Sequence, residues 1–88
     1  MFEYDDQKSE TNKQKHGIDF ESAKKLWRDT NRVIIPALGV EEPRFLLIAR
    51  LENSLWSAIY TLRNSRIRII SVRKSRKNEK EIYFSRRI

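Results

Sequence analysis

The chain is predicted to fold as one α+β domain spanning residues 1–88: two N-terminal helices, an antiparallel meander sheet of about four strands, and a C-terminal helix. Three observations predict it. Helical patterns occupy the first thirty residues, three apolar runs separated by tight turn signals fill 44–73, and a tail free of Gly and Pro follows from Lys74.

Phe2-Glu3-Tyr4 alternates and reads as a short strand. Asp5 or Asp6 then caps a helix running toward His16 and stopping at Gly17. That helix has no aliphatic residue, so no apolar stripe of its own can hold it, and a helix polar all round bridges other parts or presents polar groups. Lys8, Asn12 and Lys15 lie along one of its faces, with His16 beside them in the last turn. The ordinary reading of Lys15 and His16, as complements to the helix dipole, is also open. Asp19 caps a second helix on which Phe20, Ala23, Leu26 and Trp27 form a core-facing stripe.

Past Asp29 the chain turns β-rich. Arg32-Val33-Ile34-Ile35 is a strand broken by Pro36, and Gly39 to Pro43 is a loop. Arg44 to Leu51 is a strand apolar on both faces, joined through Glu52-Asn53-Ser54 to a matching strand, Leu55 to Leu62. A second tight connection, Arg63-Asn64-Ser65, leads into Arg66 to Arg73. Lys74 to Ile88 reads as a terminal helix, with Arg76, Glu79 and Tyr83 on one polar face.

The Arg66–Arg73 strand carries aliphatic residues on both sides, which predicts a place near the middle of the sheet and arginines held rigidly at its rim. Strict alternation puts Ile67, Ile69, Ser71 and Arg73 on one face and Arg66, Arg68, Ile70 and Val72 on the other. Arg68 and Arg73 then face opposite sides, and one pocket could use both only if the strand twists or ends between them.

Nineteen Lys and Arg against twelve Asp and Glu give a formal charge of +7, which points to a polyanionic partner, nucleic acid first. Cysteine is absent, so disulfides, thiol catalysis and Cys/His zinc sites are excluded, and the single histidine is the one side chain whose ordinary titration lies near neutrality. Apolar stretches fall far short of the roughly 18 residues that span a bilayer, and a soluble, cytoplasmic protein without membrane contact is expected. There is no glycine-rich phosphate loop, no Gly-x-Ser-x-Gly elbow, no His-Glu-x-x-His pair and no carboxylate cluster for two-metal catalysis. Metal-independent RNA chemistry or plain binding remains, with no cofactor.

RNA supplies its own nucleophile, the ribose 2′-hydroxyl beside the scissile phosphate. A protein cutting it must hold that hydroxyl in line, neutralise the phosphorane-like transition state and move protons. Arginine forks suit the second task, and Arg44, Arg50, Arg68 and Arg73 are candidates at strand ends. Proton transfer could fall to His16, Glu79, Tyr83 or a lysine crowded by other cations. Each has an ordinary structural alternative: strand-end solvation for Arg44 and Arg50, an ion pair with Arg76 for Glu79, packing for Tyr83.

Two blocks resemble a known family. Phe2-Glu3-Tyr4-Asp5, Lys8, Asn12, Lys15-His16-Gly17-Ile18 and Phe20-Glu21 with Ala23 resemble the opening signature of the BrnT toxins of type II toxin-antitoxin systems. Ile67-Arg68-Ile69-Ile70-Ser71-Val72-Arg73 with Glu79 and Tyr83 resembles the second signature. Departures fall at Tyr4, Val72 and the Asn53-Ser54 turn, none of them a charged position. The resemblance implies a RelE-like fold and a ribonuclease that inhibits translation, neutralised by a BrnA-like antitoxin through whose complex operator DNA is bound. It also implies catalytic positions at Lys8, His16, Arg68, Arg73, Glu79 and Tyr83. Lys15, Arg44, Arg50 and Arg76 are the accompanying candidates for RNA contact. The alternative is a basic, non-catalytic module that binds nucleic acid or protein and acts through a partner as an operon co-repressor. The apolar strands 45–49 and 55–62 also offer surface that another chain, including a second copy, could cover.

Overall fold

A computed structural model describes residues 1–37 and 42–85. In chain order the elements are β1 (Phe2–Glu3), α1 (Asp6–His16), α2 (Phe20–Ala23), a 3₁₀ turn (Lys24–Arg28), β2 (Val33–Ala37), β3 (Arg44–Leu51), β4 (Ser54–Arg63), β5 (Arg66–Lys74) and α3 (Lys77–Ser85). The expected loop from Gly39 to Pro43 and the expected helical tail to Ile88 lie partly outside the described residues.

The α+β class holds, but the sheet is not a four-stranded antiparallel meander. Its five strands run in the order β1-β5-β4-β3-β2, and β1 pairs parallel with β5 while the other pairs are antiparallel. The central strand is therefore β4, and β5 lies one place from the edge. Pro36 does not end β2, which continues to Ala37 with Pro36 opposite Phe45. An edge strand tolerates a residue without an N–H. The second helix makes one α turn and tightens to 3₁₀ from Lys24, yet Phe20, Ala23 and Leu26 are buried as their spacing predicts.

One face of the sheet packs under α1, α2 and the 3₁₀ turn, with Phe20, Ala23 and Leu26 against Leu47, Ala58, Tyr60, Ile69 and Val72. Trp27 meets Phe2 and Tyr60 edge-on, with ring centroids 5.1 and 5.2 Å apart. The other face carries a smaller cluster of Ile48, Leu55 and Tyr83 of α3, bordered by Val33, Ile35 and Leu46.

α1 is held by polar side chains in place of an apolar stripe. Asp5 caps it by accepting from the backbone N–H groups of Gln7 and Lys8, and the Ser9 hydroxyl accepts from the Phe20 N–H. Asn12, only 6% exposed, donates to the carbonyls of Ile18 and Val72 and accepts from the Val72 N–H. It thus occupies the hydrogen-bonding edge of β5 where β1 has ended, as a further strand would. Gly17 closes the helix with φ +83°, a left-handed value that favours glycine.

Candidate functional site

β5 provides the frame of the site. Its pairing with β4 slips between Ile59 and Tyr60: Ile59 lies opposite Ser71 and Tyr60 opposite Ile69, leaving Ile70 as an extra, unpaired residue. Such a bulge reverses the alternation beyond it. Ile67, Ile69 and Val72 all join the core beneath α1 and α2, while Arg68 lies opposite Thr61 and Arg73 opposite Ser57. Arg68, Ser71 and Arg73 consequently share the face that α3 packs on. The expected conflict between the two arginines rested on unbroken alternation, and the bulge corrects it.

α1 lies along the free edge of this stretch. Lys8, Thr11, Lys15 and His16 line a shallow depression of about 230 Å³ with Ile70 and Ser71 at its floor, and Lys8, Lys15 and His16 are exposed. Arg68 Nη1 lies 3.3 Å from Glu3 Oε2, a part-exposed pair. Three predicted residues of α1, Lys8, Lys15 and His16, are thus gathered beside Ser71, with Arg68 before it and Arg73 after it on one strand face.

The α3 side is built differently. Arg73 grips Glu79 with both prongs of its guanidinium, Nη1 and Nη2 each 2.9 Å from a carboxylate oxygen. Glu79, 6% exposed, also accepts from the Ser57 hydroxyl and the Arg76 N–H, and Ser57 and Ser75 hydroxyls are hydrogen-bonded. The Arg73 fork, opposed by burial and helped by the Arg76 N–H and Ser57, holds the Glu79 carboxyl down at about 2. At neutral pH that carboxylate is an anion with no proton to give. The Tyr83 hydroxyl donates to Asp29 Oδ2 at 2.6 Å, and burial followed by that bond raises its pKa. Burial works against ionising Asp29, but donors from Tyr83, the Arg50 N–H and the Asn31 N–H outweigh it and hold its carboxyl below the usual range. Glu79 and Tyr83, four residues apart, thus both fasten α3, Glu79 to β4 and β5 and Tyr83 to Asp29 ahead of β2.

The remaining candidates are dispersed. Arg76 is exposed at the approach to α3 and reaches Glu79 through its backbone. Arg44 is exposed at the start of β3, two strands from β5. Arg50 lies at the far end of β3, its guanidinium carbon 5.8 Å from the Phe84 ring centroid. Sequence reasoning missed Glu3, Asp29, Ser57 and Ser71. Ser57 carried a signal, as a hydroxyl inside the apolar run Leu55 to Leu62 needs a buried partner. Asp29 carried none, since Arg50 and Tyr83, the partners that tie it to β3 and α3, stand 21 and 54 residues away. Among the described residues no three His, Asp or Glu side chains come together in a way that could hold a metal ion, and no helix is long and apolar enough to cross a membrane.

The fold and site define a small, basic α+β protein that sets a lysine- and histidine-bearing helix beside an arginine-bearing strand. A family model described as ribonuclease toxin, BrnT, of type II toxin-antitoxin system matches residues 4–79, and the chain belongs to that family. Membership makes it a ribonuclease toxin at family level and implies an antitoxin protein as partner. No curated protein matches the sequence. The match takes in five of the six candidate catalytic residues and ends at Glu79, four residues before Tyr83.

Proposed function

We propose that the protein is a metal-independent endoribonuclease that cleaves RNA by attack of the 2′-hydroxyl and so inhibits translation in the cytoplasm. The observation that carries this reading is the gathering of Lys8, Lys15 and His16 around Ser71, with Arg68 and Arg73 on the same strand face. In the reaction the 2′-oxygen bonds to phosphorus and the bond to the 5′-oxygen breaks. One proton leaves the 2′-oxygen and one joins the 5′-oxygen, giving a 2′,3′-cyclic phosphate and a free 5′-hydroxyl. Arg68, Arg73 and Lys8 offset charge on the phosphate, Lys15 holds the backbone, and His16 moves a proton. Glu79 orients the Arg73 fork, and Tyr83 fixes the helix that bears Glu79; both are positioning residues. Arg44, Arg50 and Arg76 contact RNA outside the reacting centre. A BrnA-like antitoxin covers the basic surface, and operator DNA is reached only through that complex.

The test is incubation of folded protein with RNA in the presence of a chelator, with product ends analysed. Cyclic-phosphate ends are expected, and a single 2′-deoxy substitution at the cut should abolish that cut. RNA intact after long incubation, or cleavage only after metal is returned, overturns the reading. One observation favours a second reading: Arg68 and Arg73 already face the carboxylates of Glu3 and Glu79, as they would in a non-catalytic module acting as a co-repressor. His16→Ala separates the two, since catalysis predicts loss of cleavage with RNA binding retained.

A further inference from the structure

The bulge in β5 decides which way Ser71 faces. Ile69 lies in the core at 2% exposure, so in an unbroken strand Ser71 and Arg73 would face the core as well. With Ile70 as the extra residue, Val72 takes the core position opposite Ala58, and Ser71 comes out opposite Ile59 on the face of Arg68 and Arg73. Bulges re-aim side chains in this way beside functional sites. Ser71 also lines the floor of the α1 depression, with Lys8, Thr11, Lys15 and His16 along its wall.

Most of the fixed donors around Ser71 are already engaged. Arg68 lies 3.3 Å from a Glu3 oxygen, and Arg73 holds both oxygens of Glu79. The Asn12 amide is taken up by Ile18 and Val72. The Ser71 hydroxyl, by contrast, makes no hydrogen bond among the described residues. No buried polar side-chain atom among them lacks a partner, so the unpaired Oγ of this half-buried residue is open to solvent. The strand thus presents a free, neutral donor between two guanidiniums that already face carboxylates.

We propose that Ser71 contacts the substrate, its hydroxyl donating a hydrogen bond to a non-bridging oxygen of the scissile phosphate. The proposal rests on the ribonuclease reading above and deepens it. Charge on that oxygen grows as the 2′-oxygen bonds to phosphorus, and a donor already held in place stabilises the phosphorane-like state without reorganising. Lys8 and Lys15 bring charge on long, flexible stems, whereas a one-carbon hydroxyl on a paired strand brings direction. Ser71 gives up no proton and forms no bond to phosphorus, because the nucleophile is the RNA's own 2′-hydroxyl.

The experiment compares the full chain with Ser71→Ala and Ser71→Thr. Ser71→Ala deletes a hydroxyl without a partner in the protein, so its thermal midpoint should match that of the parent chain. Its rate of RNA cleavage should fall about a hundredfold. Ser71→Thr keeps a hydroxyl and suits a strand, and should restore most of the rate. Uridine 3′-phosphate carries the phosphate but no bond that can be cut, and it should bind Ser71→Ala about tenfold more weakly than the parent chain. Cleavage by Ser71→Ala at the parental rate, or a loss that Ser71→Thr does not restore, overturns the proposal. The two readings fail separately. Where the parent chain leaves RNA intact the nuclease is removed, and the nucleotide then decides Ser71 alone: weaker binding by Ser71→Ala supports the phosphate contact, and equal binding overturns it. Cleavage that proceeds equally in the parent chain and in Ser71→Ala removes the contact and leaves the nuclease standing.

Discussion

Glu79 shows how one side chain decides between chemistry and architecture. Its carboxylate collects two bonds from Arg73, one from Ser57 and one from the Arg76 N–H. A group held at about 2 is a poor proton acceptor and no donor at neutral pH, so its worth lies in fixing Arg73. The linkage has a definite sign. Because the folded carboxyl lies below its ordinary 4.5, the stabilisation is complete above that value and is lost as pH falls toward about 2. Its size is on the order of 3 kcal/mol. Urea unfolding followed from pH 6 to pH 2.5 should therefore show stability falling through this window. Glu79→Gln should be less stable at pH 6 and flatter below it; a variant profile parallel to that of the parent protein would contradict the account. The same reasoning makes Arg73→Ala an ambiguous test of catalysis, since it strands a buried anion at a cost of about 3 kcal/mol.

At the level of elements, the polar first helix was the segment least explained by its sequence. Its limits at Asp5 and Gly17 were legible from cap chemistry, as was its lack of an apolar stripe. What holds it was not legible, because Val72 lies 60 residues from Asn12 and no local pattern announces that a side-chain amide will complete a sheet. Asn12→Ala should leave a buried N–H and two carbonyls unpaired and destabilise the fold by about 2–4 kcal/mol, measurable as a lower urea midpoint. The strands from Arg44 to Arg73 were read almost to the residue, since β-branched runs and turn signals coincide there. The bulge at Ile70 was not, because both the bulged and the regular register place aliphatic residues inside. The β4–β5 turn gives a check in the opposite direction. Asn64 and Ser65 both have positive φ, 51° and 68°, the signature of a tight turn that prefers Asn-Gly. Ser65→Gly should stabilise the protein by about 0.5–1 kcal/mol in the same measurement.

For the whole molecule, the charge of +7 foretold a polyanion, but not which cations face it. Much of the acid is already spent: Glu3 lies against Arg66 and Arg68, Glu21 against Lys24, Glu42 against Arg63 and Glu79 against Arg73. Lys8 and Lys15, beside the α1 depression, have no such counterion among the described residues. Replacing both by glutamine should reduce the slope of log K against log salt for single-stranded RNA by about 1.4 and leave thermal stability nearly unchanged. An unaltered slope would move the RNA path away from α1. The short strand at Phe2-Glu3 was legible from its alternation, but its parallel place beside β5 was not, since the residues it pairs with, Ile67 and Arg68, lie near the other end of the chain.

The sealing of β5 by Asn12 bears on how copies of this protein can meet. A sheet with two open margins can add neighbours on both sides and grow without limit, as fibres do. Here one margin ends in a two-residue strand and a side-chain amide, so among the described residues the ladder of β2 is the longer one left to offer. Two copies joined margin to margin through β2 would exhaust it, and the assembly would stop at a pair.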